Sequence, residues 1–332
     1  MTAPDRPILI AATSLDEHAY APVCKFLESA GHPVVLYRTD RVISGADLLE
    51  LNLSESGNLN IRYNHTPIEP GAVSAAWYRK VANFTLPQLV HDRARQLYVN
   101  SEIRHLHEDL WSLYPESLWL NAPERMRRHD RKIGQLMLAK EVGFSIPETL
   151  MASDWEAVEQ HLLDHNDEII VKVARGIISE GDRLKALYTT RLDKHRIQQL
   201  KSDVTPFPGL YQPFLQKHRE WRVTVVGDNV FPVAIYTNEN ARNDWRVHQT
   251  TDAVVFREEA LPKGVDELCL RFLGKCGLKF GAFDLVEKPD GAVIFLECNP
   301  NGQYGWLEEE LGLQISKAIA EQLLSIAESS VD

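Results

Sequence analysis

The chain opens on an apolar run, "PILIAAT", followed by a helical pattern from about Asp16 to Ala30, a break at "GHP" and a second apolar run, "VVLYR". Strand, helix and strand in that order is the pattern of a βαβ unit. "SAAWYRK" predicts another strand, and a helix from about Pro87 to Leu113 closes the region, so a first domain is expected over residues 1–120. "RMRRHDRKIGQLMLAKEVG" then predicts one amphipathic helix, with Ile133, Leu136 and Met137 inward, Arg128 and Lys132 one turn apart on another face, and a stop at Gly143. Ser153 and Glu156 have capping-box spacing ahead of a helix through about Leu163. "EIIVKVA" predicts a buried strand and "RLDKHRIQQLK" another helix, which makes residues 121–205 a small α/β module. From "GLYQPFL" onward the pattern turns to β-hairpins, the first reversing at Gly227 to Asn229, with helices near 262–276 and 307–327. This third unit spans 206–332, and the fold class expected is α/β with α+β character.

One hairpin breaks its own pattern. "GAFDLVEKPDGAVIFLECNPNG", residues 281–302, sets Asp284, Glu297 and Asn299 among some of the most apolar residues of the chain. A loop of two residues, Asp290-Gly291, or of four, Pro289 to Ala292, places Asp284 opposite Glu297, whereas an odd-length loop breaks the alignment. Asn299 then points the same way, and Phe283, Leu285, Ile294 and Leu296 take the opposite face. Two ionised carboxylates that close repel unless a cation lies between them, and an incomplete set of oxygen donors suits a Mg²⁺ ion that also binds substrate phosphates. The plainer alternative is an edge hairpin whose acids face water.

Basic residues upstream favour the first reading. Lys172 lies inside the apolar strand, where an ammonium needs an anionic partner, and phosphate is a natural one. The loop "RGIISEGDR", with Gly176 and Gly181, could fold over a nucleotide, although no G-x-x-x-x-G-K-[ST] phosphate loop exists anywhere in the chain. Lys132 alone reads more readily as a solvated helix lysine. Glu220 and Arg222 share a strand face at a spacing of two and suit a base pocket, and "NDWRVH" offers Arg246 beside Trp245.

Composition narrows the class further. With 332 residues and 44% hydrophobic content the chain reads as a soluble globular protein, and its N-terminus fits neither a signal peptide nor a membrane span, so the cytoplasm is expected. A net charge of -11 argues against a nucleic-acid binder held by phosphate contacts. No Gly-rich fingerprint follows the first strand, which weakens a dinucleotide fold. Cys24, Cys269, Cys276 and Cys298 lack metal spacing and read as reduced core thiols. "HLHEDLW" lacks the H-E-x-x-H spacing of a zinc protease, and none of the twelve histidines acquires a role.

On these residues the chain resembles the ATP-grasp superfamily and, within it, the microviridin-type (graspetide) peptide ligases. The stretch from "GAFDLVEKPDGAVIFLECNPNG" through "QYGWLEEELGLQISKAIAEQLL" is similar to the C-terminal signature of that family, "DWR" to a motif preceding it, and "WYRK" to the N-terminal pre-ATP-grasp domain, with Lys80 where arginine is common. The resemblance implies ATP and Mg²⁺ as cofactors, a precursor peptide as partner and a homodimer. It implies that Asp284, Glu297 and Asn299 hold magnesium, that Lys132 and Lys172 contact phosphates, and that Gln212 and Phe214 line the adenine pocket. Glu220 would take the ribose hydroxyls, and Arg222 and Arg246 would approach the transferred phosphoryl group. The expected activity is ligation of a carboxylate to an amine or hydroxyl through an acyl phosphate, forming macrolactones or macrolactams. The alternatives are a ligase for small amino acids or peptide termini, and a nucleotide-binding sensor without turnover.

Overall fold

The computed structural model describes residues 6–79, 92–165, 168–172, 177–180, 183–186, 189–203, 209–238 and 253–330. Strand β1 (Ile8–Ala12) is buried at every position. It leads through helix α1 (Glu17–Ser29) to β2 (Val34–Arg38), which pairs with β1 in parallel. After a short α2 (Thr39–Ile43), strands β3 (Leu49–Leu53), β4 (Leu59–Tyr63) and β5 (Thr66–Pro67) form an antiparallel sheet that the sequence pattern does not announce. Four of the five residues of β3 are exposed, so it carries little hydrophobic alternation to read. Strand β6 (Ala75–Tyr78) then joins the free side of β1, completing the parallel order β2-β1-β6.

Helix α3 (Arg93–Ser112) starts at Asp92, whose carboxylate accepts from the peptide N–H groups of Ala94 and Arg95; the expected earlier start at Pro87 falls outside the described residues. The single amphipathic helix expected next is two helices, α4 (Pro123–His129) and α5 (Lys132–Val142), because Arg131 takes an extended conformation between them. Helix α5 is also turned differently. Ile133 and Met137 are exposed, and Gln135, Leu136, Ala139 and Val142 are buried. The cause is a backbone clamp: the Gln135 amide donates to Cys298 O at 2.7 Å and accepts from Cys298 N at 2.9 Å, so a polar residue points inward. Gly143 ends α5 with φ 113, as expected of a left-handed cap.

Strand β7 (Leu150–Ala152) precedes α6 (Trp155–Asp164), which is capped by Asp154 rather than Ser153. Strands β8 (Ile169–Lys172), β9 (Ile177–Glu180), β10 (Arg183–Ala186) and β11 (Thr190–Leu192), helix α7 (Lys194–Asp203) and β12 (Gly209–Pro213) follow. They form a four-stranded antiparallel sheet β11-β8-β12-β7 and a separate β9-β10 hairpin. Strands β13 (Arg219–Val226), β14 (Asn229–Thr237) and β15 (Val254–Glu258) lead to α8 (Val265–Cys276), and β16 (Phe280–Glu287) and β17 (Val293–Asn299) finish the sheet β15-β14-β13-β16-β17. The expected C-terminal helix is again two, α9 (Gly305–Leu311) and α10 (Ile315–Ser329), divided where Gly312 adopts φ 70.

Two of the hydrophobic cores join these layers. One packs Phe272 of α8 and Leu136 of α5 against Phe283 and Phe295 on one face of the five-stranded sheet. The other joins Ile8, Ile10 and Leu27 to Ile319 and Leu323 of α10 and to Val226 and Phe280, so the last helix closes over the first sheet. Complete burial of each such side chain contributes about 1.5–3 kcal/mol. The cysteines are all free, three of them buried as expected, and burial raises the Cys269 and Cys276 thiols far above their ordinary range. Among the described residues no helix is long and apolar enough to cross a membrane.

Candidate active site

The site is built on the β16-β17 hairpin, and its register comes about differently from the sequence expectation. Lys288 N donates to Ala292 O at 2.9 Å and Gly291 takes φ 83, so the loop is the three residues Pro289, Asp290 and Gly291. An odd loop continued regularly would set Asp284 against Leu296 and turn Glu297 into the core. A one-residue bulge prevents this: Leu285 pairs with Phe295, Asp284 with Glu297, and Leu296 is the extra residue. The two carboxylates therefore do lie opposite each other. The companion expectation changes, because the core face beside Phe283 and Leu285 is completed by Phe295 and Cys298, not by Ile294 and Leu296.

Each carboxylate meets a cation. Arg222 stands directly across from Asp284 on β13 and donates from Nη1 to Oδ1 at 2.7 Å. Lys132, the first residue of α5, brings Nζ to 2.5 Å from Glu297 Oε2. Asn299 pairs with Ala282 on the same side and accepts from Asn301 N at 2.9 Å through Oδ1. Arg222 also donates from Nη2 to Gln303 O at 3.0 Å, while its Nε is buried without a hydrogen-bond partner. Two carboxylates and an amide oxygen on one strand pair are hard donors, half-open to solvent and too few to close a cage. That donor set fits Mg²⁺.

Glu220 lies two residues from Arg222 and accepts from Lys217 Nζ at 2.8 Å. A second group of the sequence-derived residues sits in the four-stranded sheet. Lys172 of β8 pairs with Leu210 of β12, and Gln212 of the same strand is buried, donating to Thr149 Oγ1 at 2.9 Å with its own Oε1 unpartnered. Phe214 N donates to Glu168 O at 3.0 Å, and the Arg191 guanidinium lies over the Phe214 ring at 4.4 Å. The two groups are joined through residues 214–218, which carry β12 directly into β13. Arg246 and Trp245, Lys80, and the loop glycines Gly176 and Gly181 lie outside the described residues.

The structure adds a group that sequence reasoning missed. Arg79, fully buried at the end of β6, donates to Asp16 Oδ2 at 2.6 Å, to Gly302 O at 2.9 Å and to Gln303 Oε1 at 2.6 Å. Gln303 Nε2 donates to Asp16 Oδ1 at 2.9 Å, closing the network. The loop after β17 is thus held by Arg79 on one side and Arg222 on the other. The available signal was an arginine ending an apolar strand, "AAWYR", where burial demands a partner.

No protein-family profile and no curated protein matches the chain. Solved structures do. A RiPP-associated ATP-grasp ligase of Chryseobacterium gregarium, in complex with ADP and a leader and core peptide, is 25% identical with a TM-score of 0.82, over 96% of this chain and 97% of that one. The macrocyclase MdnC of Microcystis aeruginosa, bound with precursor peptide MdnA, is 26% identical with a TM-score of 0.80, over 96% of this chain and 99% of that one. The ATP-grasp ligase PsnB, complexed with a minimal precursor variant, Mg and ADP, is 21% identical with a TM-score of 0.74, over 97% and 99% of the two chains. The likeness runs from end to end, and the fold is the ATP-grasp fold in the form found in RiPP-associated ligases.

Proposed function

We propose that this chain is an ATP-dependent ligase that joins a carboxylate to an amine or hydroxyl through an acyl phosphate, closing side-chain ester or amide links in a ribosomally made precursor peptide. The observation that carries this reading is the Asp284–Glu297 pair with Arg222 and Lys132 docked on it, in a chain that shares its fold along its whole length with peptide-modifying ATP-grasp ligases.

In the first step a carboxylate oxygen of the peptide attacks the γ-phosphorus of ATP, the bond to the β-phosphate oxygen breaks, and ADP leaves. Asp284, Glu297 and Asn299 would hold Mg²⁺, which supplies charge neutralisation on the β- and γ-phosphates. Lys132 and Lys172 contact phosphate oxygens, and Lys132 must exchange Glu297 for them. Arg222, and Arg246 with it, neutralise charge on the transferred group, a task suited to a guanidinium preset beside the metal ligands. Gln212 and Phe214 line the adenine site and Glu220 accepts from the ribose hydroxyls. In the second step the amine or hydroxyl attacks the acyl carbon, loses its proton, and inorganic phosphate leaves. A homodimer working in the cytoplasm completes the reading.

The test is co-expression with each short, Thr/Ser/Asp/Glu-rich peptide encoded beside the gene, followed by mass spectrometry. Loss of one water per link, with ADP formed only when peptide is present, supports the reading. Nucleotide binding without ADP formation on any carboxylate overturns it in favour of a sensor.

A further inference from the structure

A second cluster of ligating side chains lies behind the four-stranded sheet, remote in sequence from the hairpin. His161 on α6 and His165 at its C-cap are one turn apart, and the segment entering β7 brings Glu148 against them. One ligand atom from each of the three lies within 4.8 Å of the others. His165 Nε2 is 3.6 Å from Glu148 Oε2, and the two imidazole rings meet edge to face with centroids 4.5 Å apart.

Two features distinguish this cluster from an incidental surface pair. The Nε2 atoms of both histidines are shut off from solvent with no hydrogen-bond partner, and His161 is only 6% exposed. Bare, desolvated imidazole nitrogens are costly, and two of them facing one carboxylate call for a shared occupant. The His161 ring lies against the Tyr211 backbone of β12.

We propose that Glu148, His161 and His165 form a transition-metal site, with Zn²⁺ as its ion, that clips the segment before β7 to helix α6. Two imidazoles and one carboxylate favour zinc over magnesium, and three protein ligands leave a fourth position open on the solvent side, where the Glu148 side chain is 70% exposed. The site is independent of the ligase reading, although its supports reach the same strand: Tyr211 and Gln212 are neighbours on β12, and Gln212 holds Thr149, next to Glu148.

The experiment titrates the chelator-stripped full chain with Zn²⁺ against a chromophoric chelator, in excess Mg²⁺ so that the hairpin acids do not compete. Expected are one equivalent bound with submicromolar affinity, a raised unfolding midpoint, and visible absorption of a four-coordinate site when Co²⁺ replaces zinc. His165→Asn and Glu148→Gln should each weaken zinc by about tenfold or more. Both residues are more exposed than His161, so their metal-free unfolding midpoints should match the wild type. Zinc bound equally by wild type and both variants, or bound by none more tightly than micromolar, overturns the proposal; in the second case a water bridges the two nitrogens.

Discussion

Arg79 and Gln303, 224 residues apart in the chain, are joined by a 2.6 Å hydrogen bond from the guanidinium to the amide oxygen, with Asp16 bound to both. Arg79 is completely buried and Asp16 is 3% exposed. Removing one partner of such a pair leaves a buried charge, so Arg79→Met should destabilise the fold by about 3–5 kcal/mol. The double variant Asp16→Asn/Arg79→Met should lose less than the sum of the single changes, because it strands no charge. Urea denaturation of the three variants measures both quantities, and additive losses would show that the network acts as independent contacts.

Gly302 connects that network to the hairpin. A Cβ there would overlap Ala282 Cβ and come within 2.9 Å of Arg222 Nη2. Ala282 is fixed in the sheet by Asn299 and Thr224, so the loop and Arg222 must give way. Gly302→Ala should lower kcat/KM by on the order of 10²-fold, the scale of a 1 Å misplacement of a catalytic group. Gly274→Ala is the control: its position in α8 is open, and the change should stabilise by about 1 kcal/mol with turnover unchanged. Steady-state ADP formation by the two variants decides between local crowding and a general intolerance of alanine.

The hairpin also shows where sequence reading reaches its limit. The pairing of Asp284 with Glu297 was legible, since acids at matched positions in apolar strands constrain register. The route was not: a three-residue loop and the bulge at Leu296 offset each other, and neither leaves a periodic signature. Helix α5 was legible as a helix and at its Gly143 stop, but its inward face was not, because Gln135 is buried by a clamp on Cys298 that hydrophobicity cannot register. Arg79 and the histidine pair were passed over for a related reason. Their significance depends on partners from distant segments.

Lys132 and Glu297 hold each other at 2.5 Å, although the proposed function assigns both to the Mg²⁺·ATP site. On the proposed function Lys132 is the counter-cation that the metal would displace. In Lys132→Met the acids lose that competitor, so Mg²⁺ should bind more tightly in the absence of nucleotide, while the KM for ATP rises. With both side chains more than a quarter exposed, the ion pair contributes about 0.2–1 kcal/mol, which limits the gain in Mg²⁺ affinity to about fivefold. Isothermal titration without nucleotide and ATP kinetics should move in opposite directions. Weaker binding in both would show that Lys132 supports the metal ligands instead of competing with the ion.

Glu287, the last residue of β16 before the Pro289–Gly291 turn, carries a pH dependence whose sign follows from its contacts. Burial alone raises its pKa, but hydrogen bonds from Arg219 Nε at 2.8 Å and Trp221 Nε1 at 2.9 Å outweigh burial, and the net shift is downward from 4.5. A carboxylate with a depressed folded-state pKa contributes stability that is fully present above the unfolded value and is lost as pH falls through the folded value. Glu287→Gln should therefore lower stability at pH 7 by about 1.5–3 kcal/mol, the scale of hydrogen bonds to a charged group. The difference from wild type should shrink once the pH drops below 4.5. Chemical denaturation followed by tryptophan fluorescence from neutral to acid pH provides the measurement. A gap that stays constant across that range would mean that the Glu287 charge is not what its partners recognise.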